Sequence, residues 1–138
     1  MPQGISEYVD VALPLGVHGT FTYSVPQELR ADVRLGSRVE VPWGTKISTA
    51  FVTGFPTSPE IEKRRIRDIR SVLDDEEPAL LPEILELCRW ASEYYLAPLG
   101  ETIRIALPAN MSSRSRRAVR LAADAATLAG AFEDGRLL

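Results

Sequence analysis

Apolar residues recur at two different periods along this chain, and the period changes near residue 78. Before that point they come in short runs. Tyr8, Val9, Val11, Ala12 and Leu13 form one run, which stops at Pro14. Phe21, Tyr23 and Val25 alternate with Thr20, Thr22 and Ser24, the two-residue period of a strand with one face buried. Val39 and Val41 alternate with Arg38 and Glu40, and Pro42 is expected to end that run. Residues 47–53 are rich in β-branched and aromatic side chains, and Ile66, Ile69 and Val72 mark a last, more polar strand. Glycine and proline at 14, 16, 19, 26, 36, 42, 44, 54, 56 and 59 separate the runs. Short strands at this spacing predict a small antiparallel barrel or curled sheet.

From Pro78 onward the spacing is helical. Leu81, Ile84, Leu85, Cys88, Ala91 and Tyr95 are expected on one face, with Glu83, Glu86, Arg89 and Glu93 on the other. Pro82 and Glu83 suit a first turn, where a missing N–H costs nothing and a carboxylate meets the helix dipole. Pro98 disfavours helical geometry in the residue before it, so the helix should end near Leu96. Residues 99–107 read as a second short helix or an extended segment, closed by Pro108. Beyond Asn110 the chain becomes polar and basic through 112–117, then alanine-rich over 118–132. The fold class is therefore α+β. Residues 1–110 form a β-rich domain with a helical extension, and 111–138 a linker that opens another, incomplete domain.

Composition narrows the chemistry. The chain has 138 residues, 45% of them apolar, and can bury a core. Its formal net charge of -3 gives no whole-chain basic field. Positive charge is concentrated instead. Lys63, Arg64, Arg65, Arg67 and Arg70 stand against Glu62 and Asp68, and Arg114, Arg116, Arg117, Arg120 and Arg136 against Asp124, Glu133 and Asp134. These two stretches are the candidate phosphate contacts. One cysteine, Cys88, and one histidine, His18, supply neither a zinc site nor a nucleophile–base set. No glycine-rich loop ending in Gly-Lys-Ser/Thr occurs, so there is no phosphate cradle for ATP. The start lacks a signal-peptide pattern and no run is long enough to span a bilayer, which points to a cytoplasmic protein without a membrane partner.

Four segments, taken in order, resemble the N-terminal region of the PriA family of primosomal replication-restart helicases. They are Val11-Ala12-Leu13-Pro14 with Thr20-Phe21-Thr22-Tyr23 and Val25-Pro26; Gly36-Ser37-Arg38-Val39-Glu40-Val41-Pro42-Trp43-Gly44; Ile69-Arg70-Ser71-Val72-Leu73-Asp74 with Glu77-Pro78; and Trp90-Ala91-Ser92-Glu93-Tyr94-Tyr95-Leu96-Ala97-Pro98-Leu99-Gly100-Glu101 with Ala106-Leu107-Pro108. Together they cover about residues 5 to 110. The resemblance implies recognition of the 3′ end of a nascent strand at an abandoned replication fork, which targets replication restart. It implies forked DNA with a 3′ end as ligand. The helicase domains of the parent protein, single-stranded DNA-binding protein and other primosome proteins would be partners, at the bacterial nucleoid. ATP and zinc belong to complete family members and no cofactor to this chain. The segment after 111 would begin a winged-helix domain.

Carried over residue by residue, the resemblance places a 3′-end pocket at Phe21, Thr22, Gly44 and Arg67. An aromatic ring offers any base a face to stack on. Glycine lets backbone N–H groups approach a sugar or phosphate. Arginine grips a phosphate through paired hydrogen bonds. Position 22 departs from the family pattern, which is usually Thr-Phe-Asp-Tyr. Threonine donates and accepts hydrogen bonds without charge, so weaker discrimination of the terminal nucleotide is expected. Plainer readings stand beside these. Phe21 and Tyr23 are both core candidates by alternation, and Arg67 could belong to the solvated face of an edge strand. Trp43 is either a packing residue or part of a pocket rim. Trp90, Tyr94 and Tyr95 are expected to clamp helix to barrel. The rival function is a protein-interaction barrel that docks a peptide.

Overall fold

The computed structural model describes residues 6–59, 62–74, 77–108 and 111. The expectations for 112–138, including Arg114, Arg116 and Arg117, lie outside the described residues. Five antiparallel strands, β1 (Tyr8–Ala12), β2 (Phe21–Ser24), β3 (Arg38–Trp43), β4 (Lys46–Gly54) and β5 (Ser71–Val72), lie in the order β2-β1-β4-β3-β5. Two helices follow, α1 (Pro82–Tyr95) and α2 (Leu99–Ala106). The chain is α+β, as its periodicity predicts.

The sheet curls without closing into a continuous ladder, so the barrel expectation holds only approximately. Its two edges meet through one residue. Ser24 of β2 receives the N–H of Ile69 on its C=O at 3.0 Å and gives its own N–H to the C=O of Arg67 at 3.0 Å. The chain then passes on to β5, which pairs with Val39 and Glu40 of β3. The last strand is thus shorter than the sequence suggests. Ile66 and Arg67 precede it, and only Ser71–Val72 forms a ladder. Pro42 does not end β3. It pairs with Ile47 inside the strand, where β5 no longer flanks it and a missing N–H is tolerated.

Burial on both faces explains the unbroken apolar run of β4. Ala50 and Val52 point into the curl with Val9, Val11, Leu13, Tyr23, Val25, Val39, Val41 and Ile69. Phe51 points outward with Ala12, against Leu80, Leu85, Cys88 and Ile103. The helical layer covers this outer face. Two glycines set how closely it can approach. Gly100, at the start of α2, would carry a Cβ 2.0 Å from the C=O oxygen of Leu13. Gly36 has φ +85, and a Cβ there would lie 2.0 Å from the C=O oxygen of Leu80.

A charged clasp sits beside Gly36. Asp74, 9% exposed, takes the Arg38 N–H at 2.7 Å and the Ala79 N–H at 3.0 Å on one oxygen. Its other oxygen takes the Arg38 guanidinium at 2.8 Å and 2.9 Å. A further guanidinium nitrogen of Arg38 donates to the C=O of Met111 at 2.9 Å. Arg38 and Asp74 so tie β3, the start of the helical layer and the end of the described chain to one another.

The aromatic clamp expected on α1 is not there. Leu85 and Cys88 are the residues of α1 that bury, and Leu96 ends the helix in a left-handed cap with φ 53. Trp90, Tyr94 and Tyr95 are 57%, 68% and 72% exposed; Trp90 stacks on Tyr94 at 5.2 Å, and Tyr94 meets Tyr95 edge to face at 4.9 Å. A narrow stripe of α1, Leu85 and Cys88, joins Leu80 and Ile103 over Phe51. Ile84 and Leu81, also expected on the buried face, are exposed.

The fold predicts that Gly100→Ala costs about 3 kcal/mol or more, because backbone and not a flexible side-chain end blocks the new Cβ. Asp74→Ala should cost about 3 kcal/mol, because it strips the half-buried Arg38 of its ion-pair partner and leaves the Ala79 N–H without its acceptor. Urea denaturation of both variants measures these losses.

Candidate nucleic-acid interface

The β3–β4 hairpin turns through two residues, Gly44 and Thr45, between the paired Trp43 and Lys46. Gly44 has φ 61 while Thr45 keeps a negative φ, the arrangement that favours glycine at the first loop position. The hairpin tip leans toward β2. Phe21 and Trp43 meet edge to face, with ring centroids 4.7 Å apart. Both are half-buried and pack against the inner core. Arg67 reaches the tip from the segment before β5, and its guanidinium donates to the C=O of Gly44 at 3.0 Å. Beneath them Tyr23 donates its hydroxyl to the C=O of Pro42 at 2.8 Å. Phe21, Trp43, Gly44 and Arg67 therefore come together from three separate parts of the chain.

Thr22 faces the same region through its backbone. In an antiparallel pair successive residues turn their N–H and C=O to opposite sides. Val25 uses its N–H on Glu7 of the β1 side, at 2.8 Å. Tyr23 and Phe21 share that orientation. Ser24 and Thr22 turn the other way. Ser24 meets Arg67 and Ile69 there, and Thr22 lies one step further along that edge, toward Phe21 and the hairpin tip. The Thr22 side chain stands on the outer face of the sheet, where its hydroxyl donates to the carboxylate of Asp10 at 2.6 Å. Asp10 is its cross-strand partner.

The remaining cations lie close by in sequence. Lys63, Arg64 and Arg65 form an exposed 3-10 turn. Arg64 pairs with Glu62 at 2.7 Å, and Arg65 approaches the same carboxylate at 3.9 Å. All three side chains are exposed, so these contacts hold them weakly. Arg70 is exposed and its backbone N–H joins the C=O of Glu40 at 2.7 Å. Among the described residues no group of three or more His, Cys, Asp or Glu side chains could hold a metal ion.

Alternation along β2 makes Phe21 and Tyr23 core candidates; Tyr23 is buried in the inner core and Phe21 packs against it, half-buried. Alternation leaves the Phe21–Trp43 contact and Asp10 unseen. Asp10 needs the β1–β2 register before it can be placed beside Thr22, and nothing local specifies that register.

Burial pushes the Tyr23 hydroxyl above its ordinary 10.0, and the Arg67 guanidinium offsets part of that rise. The folded state therefore holds this proton more tightly than the unfolded chain. Stability should be intact below pH 10 and fall as the pH rises through the folded value. Tyr23→Phe should reduce that alkaline loss, which thermal melts between about pH 8 and 11 would reveal.

Residues 10–108 match the family model for the 3′ DNA-binding domain of PriA. Among characterised proteins the chain is similar to the replication restart protein PriA of Haemophilus influenzae, with 34% identity over 103 residues. It is also similar to the PriA proteins of Synechocystis, at 32% over 108 residues, and Bacillus subtilis, at 26% over 102. The alignments take in 74% to 77% of this chain but 12% to 14% of those relatives. The chain thus spans about a seventh of their length or less.

Proposed function

Because the chain belongs to the family of PriA 3′ DNA-binding domains, we propose that it binds the 3′ end of a DNA strand at a fork and so directs a larger restart protein to that end. The observation that carries this reading is the tethering of Arg67 to the hairpin-tip C=O of Gly44. The tether leaves other guanidinium N–H groups for a phosphate, next to the Phe21–Trp43 pair and the backbone edge of Thr22. A terminal nucleotide has a base, a sugar and a phosphate, and the site offers aromatic surface, open backbone groups and a cation. A strand end in this corner, between the edge strand β2 and the hairpin tip, is the part of the reading that the family's description supports. Lys63, Arg64, Arg65 and Arg70 would add phosphate contacts that carry affinity without sequence choice.

The protein-docking alternative draws on the exposed aromatic cluster of Trp90, Tyr94 and Tyr95. That surface lies on α1, over the outer face of the sheet, and the two surfaces do not compete for the same residues. Whatever docks on α1 should respond little to salt, whereas phosphate contacts weaken steeply.

Fluorescence anisotropy with labelled forks tests the proposal. Recessed 3′-hydroxyl ends should bind more tightly than 3′-phosphate ends, and equal affinities would contradict end recognition. Arg67→Ala should weaken binding to the hydroxyl end about tenfold and lower the salt slope by about one. Arg64→Ala should weaken binding to all ends alike.

A further inference from the structure

The β3–β4 hairpin carries a cation that neither the corner of Phe21, Trp43, Gly44 and Arg67 nor the Lys63–Arg65 turn accounts for. Lys46 closes the two-residue loop opposite Trp43. Residues opposite one another in an antiparallel ladder put their side chains on the same face, with Cβ atoms about 5 Å apart. Trp43 packs against the inner core and meets Phe21. Lys46 therefore stands on that same inner face, at the open mouth of the curl. It is exposed, and none of the ion pairs among the described residues involves it.

The strand order places Lys46 relative to Arg67. β4 flanks β3 on one side and β5 flanks it on the other. Arg67, just before β5, comes from that second side, and its guanidinium reaches the C=O of Gly44 at 3.0 Å. Lys46 lies on the first side. The tip thus presents two cations with Trp43 between them. We infer that Lys46 holds a second backbone phosphate, so that the strand ending in the corner approaches it across the hairpin tip, over Trp43. The inference rests on the end-binding reading above and adds to it the path of the strand.

The spacing suits successive phosphates. The Arg67 guanidinium is already at the end of β3, so Lys46 is one strand spacing further on, about 4.8 Å. A DNA strand advances about 3.4 Å along the duplex axis per nucleotide. The flexible stem of a lysine covers the difference. With Arg67 on the phosphate of the terminal nucleotide, Lys46 meets the phosphate before it. The opposite path, over the Lys63–Arg65 turn, is less favourable at close range. Arg64 and Arg65 there share the Glu62 carboxylate, which offsets their charge and repels a phosphate. No carboxylate pairs with Lys46 among the described residues.

The test uses recessed duplexes ending in a 3′-hydroxyl, with one phosphate replaced by an uncharged methylphosphonate at the last, second or third position from that end. Anisotropy gives the affinity of the chain for each. Lys46→Gln should weaken binding to the unmodified duplex about fivefold at low salt and lower the salt slope by about one. It should lose sensitivity to neutralisation of the second phosphate and keep it at the last. Arg67→Gln should show the reverse. Lys46→Arg keeps the charge and should behave as the wild type. Lys46 is exposed at a loop end, so Lys46→Gln should also melt with the wild type. The inference is overturned if neutralising the second phosphate costs Lys46→Gln as much as it costs the wild type. It is equally overturned if that phosphate couples to Lys63→Gln instead. In both cases a weakened Arg67→Gln leaves end binding standing. Unchanged binding by both Lys46→Gln and Arg67→Gln would overturn the inference and the end-binding reading together.

Discussion

Everything at the interface depends on the pair of hydrogen bonds by which Ser24 holds the segment 67–69. Without them the sheet would be an open ribbon with β2 at one edge and β5 at the other. With them the two edges meet, Arg67 is delivered beside β2, and the hairpin tip has something to lean on. The interaction is small in area, two backbone hydrogen bonds joined by one from the Ser24 hydroxyl to the Asp68 carboxylate. It is also shielded, since Tyr23 and Ile69 on either side of it are buried in the inner core. A single well-placed bridge can do this because the rest of the curl is already set by the long β3–β4 and β1–β4 ladders.

The two faces of the sheet divide the work. The inner face is a filled core with the aromatic pair at its mouth. The outer face is covered by helices over Phe51 and left polar over Asp10, Thr22 and Ser24. On this outer face of β2 each hydroxyl leans on a carboxylate, Thr22 on Asp10 and Ser24 on Asp68.

Much of this was legible in the sequence. Two-residue alternation located β2 and β3, and Pro82 and Pro98 bracketed α1 correctly. Of the residues the quoted segments single out, Phe21, Gly44 and Arg67 lie together at one corner with Trp43, while the Thr22 side chain turns to Asp10 on the outer face. What escaped was whatever depends on distance between elements. The helical spacing of Ile84 and Tyr95 promised burial, but only Leu85 and Cys88 of α1 reach the cluster around Phe51, and the other two stay in solvent. Pro42 read as a strand end because its tolerance depends on how far β5 extends. Arg67 read as part of a strand, although backbone pairing with Ser24 places it just before one. Asp10 was invisible because its meaning lies in the residue opposite, and cross-strand register is a property of the folded sheet.

The contacts at Gly36 and Gly100 bear on how such a piece can be inherited. At both points main chain rests on main chain, with the C=O groups of Leu80 and Leu13 where a side chain would otherwise stand. No exchange of surface residues could let the strands take up a different helical cover, since what they fit is bare backbone. Strands and helices are therefore fitted to each other as one piece from β1 to α2, at two points where a methyl group is missing.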